Sequence, residues 1–117
     1  MQAAEVALVR GRITKRITQL EEVMKETIHM LECEQRMLEN AEPAWKKAME
    51  DYEKMSLQNK IDASKWLASK EKELQTLQAN IARRRQNILN FSEEIFGLQK
   101  RLHSVPLCTT CTYSVGR

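Results

Sequence analysis

The predicted fold class is all-α: an elongated coiled-coil rod, folded as an antiparallel helical hairpin with a longer second helix and a short irregular C-terminal tail. Three observations lead there. The 117 residues include only 3 Gly and 2 Pro, so little in the chain interrupts a helix. Charged residues make up 30% and aromatic residues 5%, which suits solvated helices better than a thick core. Apolar residues recur at steps of three and four, the period of one helical face.

Residues 2–40 read as the first helix. Ile13, Ile17, Leu20, Met24, Ile28, Leu31 and Leu38 share one face, and Gly11 marks a start that can fray. A turn is expected at 40–43, in "LENAEPAWKK". Pro43 lacks an N–H and disfavours helical backbone at Glu42. Asn40 tolerates the conformation that ends helices. The alternatives at this point are a kinked extended rod and a three-helix bundle.

Residues 43–103 read as the second helix, with Gly97 as their only glycine. Trp45, Ala48, Tyr52 and Met55 form one stripe. Leu74, Leu77, Ile81, Ile88, Phe91, Ile95, Leu98 and Leu102 form another. Between them "SLQNKIDASK" is more polar; it has no Gly or Pro, so a stutter within one helix is favoured over a break. Residues 1–103 are thus expected to be the coiled-coil region and 104–117 a flexible tail without helical period.

The second stripe is the clearest signal. Leu74, Ile81, Ile88, Ile95 and Leu102 fall seven apart, as do Leu77, Arg84, Phe91 and Leu98. Apolar a and d positions sustained this long argue for coiled coil. Arg84 is the exception, flanked by Arg83 and Arg85. Its stem can lie along the seam while its guanidinium reaches water. Alternatively it fixes register against an acidic residue opposite. A nucleic-acid contact fits less well, because Glu93 and Glu94 lie close by and no exposed aromatic interleaves the arginines.

Charge points the same way. Residues 1–20 carry Arg10, Arg12, Lys15 and Arg16 against Glu5, which accounts for the whole net charge of +3. The remainder is balanced, the usual surface of a coiled coil and unlike the one-signed face of a nucleic-acid binder. The basic N-terminus has the charge pattern of a mitochondrial presequence but lacks its serines. No apolar run approaches a membrane span, and no secretory signal is visible. With 3 Cys, an odd number, reduced thiols are expected, and an intracellular location, cytoplasmic, cytoskeletal or nuclear.

Other residue groups are weighed against plainer roles. Cys108 and Cys111 form a CxxC pair, which supplies two of the four ligands of a tetrahedral zinc site. The pair resembles that of the zinc-hook family of DNA-repair ATPases in these two cysteines alone. There the pair sits at a coiled-coil apex; here it lies six residues from the C-terminus. The resemblance implies a zinc-linked, nucleic-acid-associated dimer; the plainer role is idle tail thiols, with an intermolecular disulfide or lipidation as further alternatives. His29 and Cys33 share a helix face without further ligands at matching spacing. Trp45 and Trp66 read as large packing anchors. No nucleophile–base pair or Gly-rich phosphate loop stands out.

The expectation is a non-enzymatic structural or scaffold subunit of a larger intracellular assembly, cytoskeletal or microtubule-associated by architecture. A vesicle-tethering or adaptor subunit is the alternative. No cofactor and no nucleic-acid partner are expected. Protein partners are expected through the coiled-coil helices, as a homo-oligomer or a heteromeric complex, and partner binding is assigned to Ile81, Arg84, Ile88, Phe91, Ile95, Leu98 and Leu102. With a reversal at 40–43, the first helix would end opposite roughly residue 81 and leave this seam uncovered.

Overall fold

In the computed structural model, which describes residues 2–105, the chain is a two-helix antiparallel hairpin. Helix α1 spans Ala3–Glu53 and helix α2 spans Leu57–Ser104. No described helix is long and apolar enough to cross a membrane.

The reversal falls at Lys54–Ser56 and not at 40–43. Helix α1 runs through Pro43 without a break. The reason lies in the heptad. Seam positions Leu31, Glu34, Leu38, Ala41, Trp45, Ala48, Tyr52 and Met55 keep the same three–four alternation across the proline. Pro43 itself falls on the outermost, exposed position. There the Glu39 carbonyl it leaves unpaired can face water, which limits the penalty of an interior proline. The second helix is accordingly not the longer one: α2 has 48 residues and α1 has 51.

The turn uses no glycine. Lys54 N–H donates to the Asp51 carbonyl at 3.1 Å and Met55 N–H to Tyr52 at 3.1 Å. These tight bonds close the last turn of α1, which has no basic residue to complement the helix dipole. Ser56 then caps α2. Its Oγ accepts from Asn59 N–H at 3.4 Å and its carbonyl from Lys60 N–H at 2.9 Å, the usual N-cap arrangement. No described residue has positive φ, so the reversal carries none of the usual sequence marks of a turn.

The chain divides into two packing units, and both helices contribute to each. One unit pairs the start of α1, up to Thr27, with α2 from Asn87 onward. Ile13, Ile17, Leu20 and Ile95 form its core, with Phe91, Leu98 and Leu102 packed against them. Thr27 is also buried, and its hydroxyl donates to the Val23 carbonyl at 2.8 Å. The basic N-terminal segment is used for contacts here. Arg10 Nη1 donates to the carbonyls of Leu102 and Val105, both at 3.0 Å, so it caps the C-terminus of α2. Arg16 pairs with Glu94 at 3.2 Å.

The other unit is the hairpin of residues 28–86. Leu67 and Ile81 are its buried apolar residues. The helix expected over 43–103 is interrupted at Lys54–Ser56, so the polar stretch begins at a break and not a stutter; beyond it the stripe resumes in phase at Lys60, Ala63, Leu67, Lys70, Leu74 and Leu77. Its seam is poorly filled: Ala41, Ala48, Ala63, Lys60 and Lys70 occupy positions that a bundle would give to Leu or Ile.

Candidate functional site

The seam assigned to partner binding is covered within the chain. Ile81 and Ile95 are buried, and Ile88, Phe91, Leu98 and Leu102 are half-buried. The later reversal is the cause: it brings residues 10–38 of α1 alongside these residues, so α1 does not run out near residue 81. Ile88, Phe91, Leu98 and Leu102 still keep an edge in water.

Arg84 meets the acidic residue that register-setting requires. Its Nε donates to Glu34 Oε1, and its Nη1 to Met30 Sδ at 3.3 Å. The two charged side chains are 23% and 14% exposed, so this pair is mostly out of water. Glu34 holds a seam position of α1 and Arg84 one of α2. A one-heptad slip would set Arg84 against Thr27 or Ala41 and leave both charges unpaired, at considerable cost. The neighbouring Arg83 points to Asn80, Nη2 to Oδ1 at 3.3 Å.

The remaining candidates do not gather into a chemical site. Cys33 Sγ lies 3.8 Å from His29 Nε2 and accepts from Arg36 Nη2 at 3.6 Å. Among the described residues, no three or more His, Cys, Asp or Glu side chains are arranged to hold a metal ion. Cys108 and Cys111, with the rest of the tail from 106 onward, lie outside the described residues. Trp45 packs half-buried in the seam, but Trp66 is not a packing anchor: it stays 54% exposed.

Trp66 instead borders the feature that sequence reasoning did not locate. The residues immediately beside the seam form two flanks, and the flanks of the 28–86 unit differ. On one, α1 presents Met30, Met37, Ala44 and Asp51, each seven apart, and α2 presents Asn59, Trp66, Glu73 and Asn80. On the other, α1 presents Ile28, Gln35, Glu42 and Met49, and α2 presents Ser64, Glu71, Gln78 and Arg85, so apolar residues lie only at the ends of its α1 edge. The first flank opens into a groove of about 710 Å³, lined by Met37, Ala41, Ala44, Trp45, Trp66 and Leu77, with Lys70, Lys72 and Glu73 among its polar residues. The second holds a smaller polar hollow of about 410 Å³, lined by residues such as Gln35, Glu42, Gln78 and Arg85.

The groove follows from the seam residues. Ala41 is too small to fill the space between the helices, and Lys70 cannot leave its ammonium in an apolar layer. Lys70 turns outward instead, with Nζ 5.7 Å from the Trp66 ring centroid and 3.3 Å from Glu73 Oε2. The sequence signal was present. Val23, Met30 and Met37 repeat every seven residues beside the seam and widen the apolar stripe to three positions per heptad. A stripe that broad exceeds what one antiparallel partner covers.

Comparison with protein-family models, curated proteins and solved structures finds no match to this chain.

Proposed function

We propose that this chain is a non-enzymatic interaction module that enters a larger assembly by seating a partner protein's helix in the groove beside Met37 and Trp66. One observation carries the reading. Met37 is 58% exposed and Trp66 54% exposed, on the two helices of a trough whose lining includes Ala41 and Ala44. Large apolar side chains framing small ones make a seat for the ridge of an apolar helix, the docking mode of helix-in-groove recognition. Burying two such side chains is worth about 1.5–3 kcal/mol each. The half-filled seam beneath them would also gain a third layer.

The reading stops at helix-mediated association. The cytoskeletal or microtubule-associated setting has no residue in the structure that supports it, and the vesicle-tethering alternative has none either. The zinc-linked reading rests on Cys108 and Cys111, outside the described residues.

Site-specific photo-crosslinking tests the proposal. A photoreactive residue is placed at Met37 or Trp66, and in control chains at Gln35 or Arg85 on the opposite flank. Discrete adducts from positions 37 and 66, absent from 35 and 85, are expected in the cells that express the protein. Equal adducts from both flanks, or none from either, would sink it.

A further inference from the structure

The groove has a charge sign as well as an apolar face. Lys70 and Lys72 line it. The heptad puts Lys47 of α1 and Arg83 of α2 at the next position outward on the same flank, both exposed. Against these stand Glu73, which is already engaged by Lys70 at 3.3 Å, and Asp51 and Asp62 toward the turn, where Lys54 lies on the same flank, so cations still outnumber carboxylates along the trough. The other flank of the same unit has the opposite balance, with Glu32, Glu39, Glu42, Glu53 and Glu71 against Lys46 and Arg85 at its corresponding positions. The chain as a whole is nearly balanced, so this separation of signs within one unit is a local property of the fold.

From this we infer that the occupant is an amphipathic helix of another protein, with an apolar ridge bordered by acidic residues. The inference rests on the groove being a helix seat, as proposed above. A helix lying between Met37 and Trp66 would run its borders past Lys47 on one side and Lys72 and Arg83 on the other. Carboxylates there would meet cations that lack acidic partners among the described residues; basic borders would meet like charge. A second copy of this chain seated through the same flank would bring basic rim against basic rim, so the groove disfavours self-pairing. Nucleic acid fits less well, because the cations border an apolar trough of Met, Ala and Trp and do not form a continuous phosphate track. A bilayer surface fits less well too, because the trough is concave.

The two tryptophans of the chain, Trp45 and Trp66, both line the groove, so their fluorescence reports occupancy directly. Three helical peptides with one Leu/Met/Ala face and Glu, Gln or Lys borders are titrated into the full-length chain at low and moderate salt. A 20-base-pair duplex and anionic phosphatidylserine vesicles are titrated in parallel. The Glu-bordered peptide is expected to bind roughly tenfold tighter than the Gln-bordered one, the sum of about three exposed pairs, and to lose that advantage as salt rises. The Lys-bordered peptide is expected to bind more weakly than both. In the K47E/K72E chain, whose substitutions lie on exposed positions, the order of the Glu and Lys peptides should reverse. Equal binding of all three peptides would overturn the acidic-border inference and leave the helix seat standing. Failure of every peptide would overturn both. Tighter binding of the duplex or the vesicles, or self-association that Met37→Glu abolishes, would replace the helix partner with that occupant.

Discussion

Replacing Glu34 or Arg84 singly with leucine should destabilise the hairpin, while replacing both should not. The single substitutions each leave one charge in a seam that is mostly closed to water. Breaking a fully buried pair costs about 3–5 kcal/mol, and an exposed pair contributes about 0–1 kcal/mol. With Glu34 at 14% and Arg84 at 23% side-chain exposure, the site lies nearer the buried limit. A loss of about 2–3 kcal/mol per single substitution follows. The double substitution removes both charges and adds apolar area at two seam positions, so its stability should fall within about 1 kcal/mol of the parent or above it. Urea denaturation followed by circular dichroism reads all four chains. With an ordinary m-value, each single substitution should lower the midpoint by about 1–2 M. The four stabilities also form a cycle whose coupling energy should reach several kcal/mol. Single losses below about 0.5 kcal/mol, adding without coupling in the double, would show that the pair is solvated and sets nothing.

Leu20→Ala should cost about 2–3 kcal/mol in the same assay, because Leu20 is 2% exposed in a core that a thin two-helix layer can partly close around; Leu89→Ala, at a position 56% exposed, should stay within about 0.5 kcal/mol. Ser56→Ala removes the N-cap acceptor of α2, whose bond is long at 3.4 Å, and should cost about 0.5–1 kcal/mol. Pro43→Ala restores a backbone N–H inside α1 and should raise stability by about 1–3 kcal/mol; a decrease would place a turn at Pro43 after all.

Much of this fold is written in the heptads. The apolar repeat from Leu74 to Leu102 announces a coiled coil, and the lone Arg84 within it points to an acidic residue across the seam. Glu34 was harder to name, because its identity depends on where the chain reverses. Pro43 drew attention as the one strong breaker in the first half of the chain, yet the seam phase runs through it: Leu38, Trp45 and Tyr52 are seven apart. Phase decides between kinking and ending better than the proline does, since a solvent-facing proline costs one bond, while the half-buried seam residues on both sides of it face α2 only if the helix continues. Ser56 gives only a faint mark. It is a capping residue with no glycine or proline beside it, in a turn closed by backbone bonds alone. The groove was legible only in part. Met30 and Met37 beside the seam widen the stripe, but the opposite wall, Trp66, joins them only once the register is known.

The register is therefore the claim on which the groove depends, and one measurement tests it directly. Met37→Cys and Asn80→Cys are introduced together in a chain whose Cys33, Cys108 and Cys111 are replaced by serine, and the protein is treated with a short bis-thiol crosslinker. Both positions line the same groove from opposite helices, so a rapid intramolecular link between residues 37 and 80 is predicted. A matched chain with Met37→Cys and Lys46→Cys, positions that a reversal at 40–43 would bring face to face, should react slowly, because both lie on the continuous helix α1. Fast linkage of 37 to 46, with none of 37 to 80, would contradict the hairpin described here and remove the groove with it.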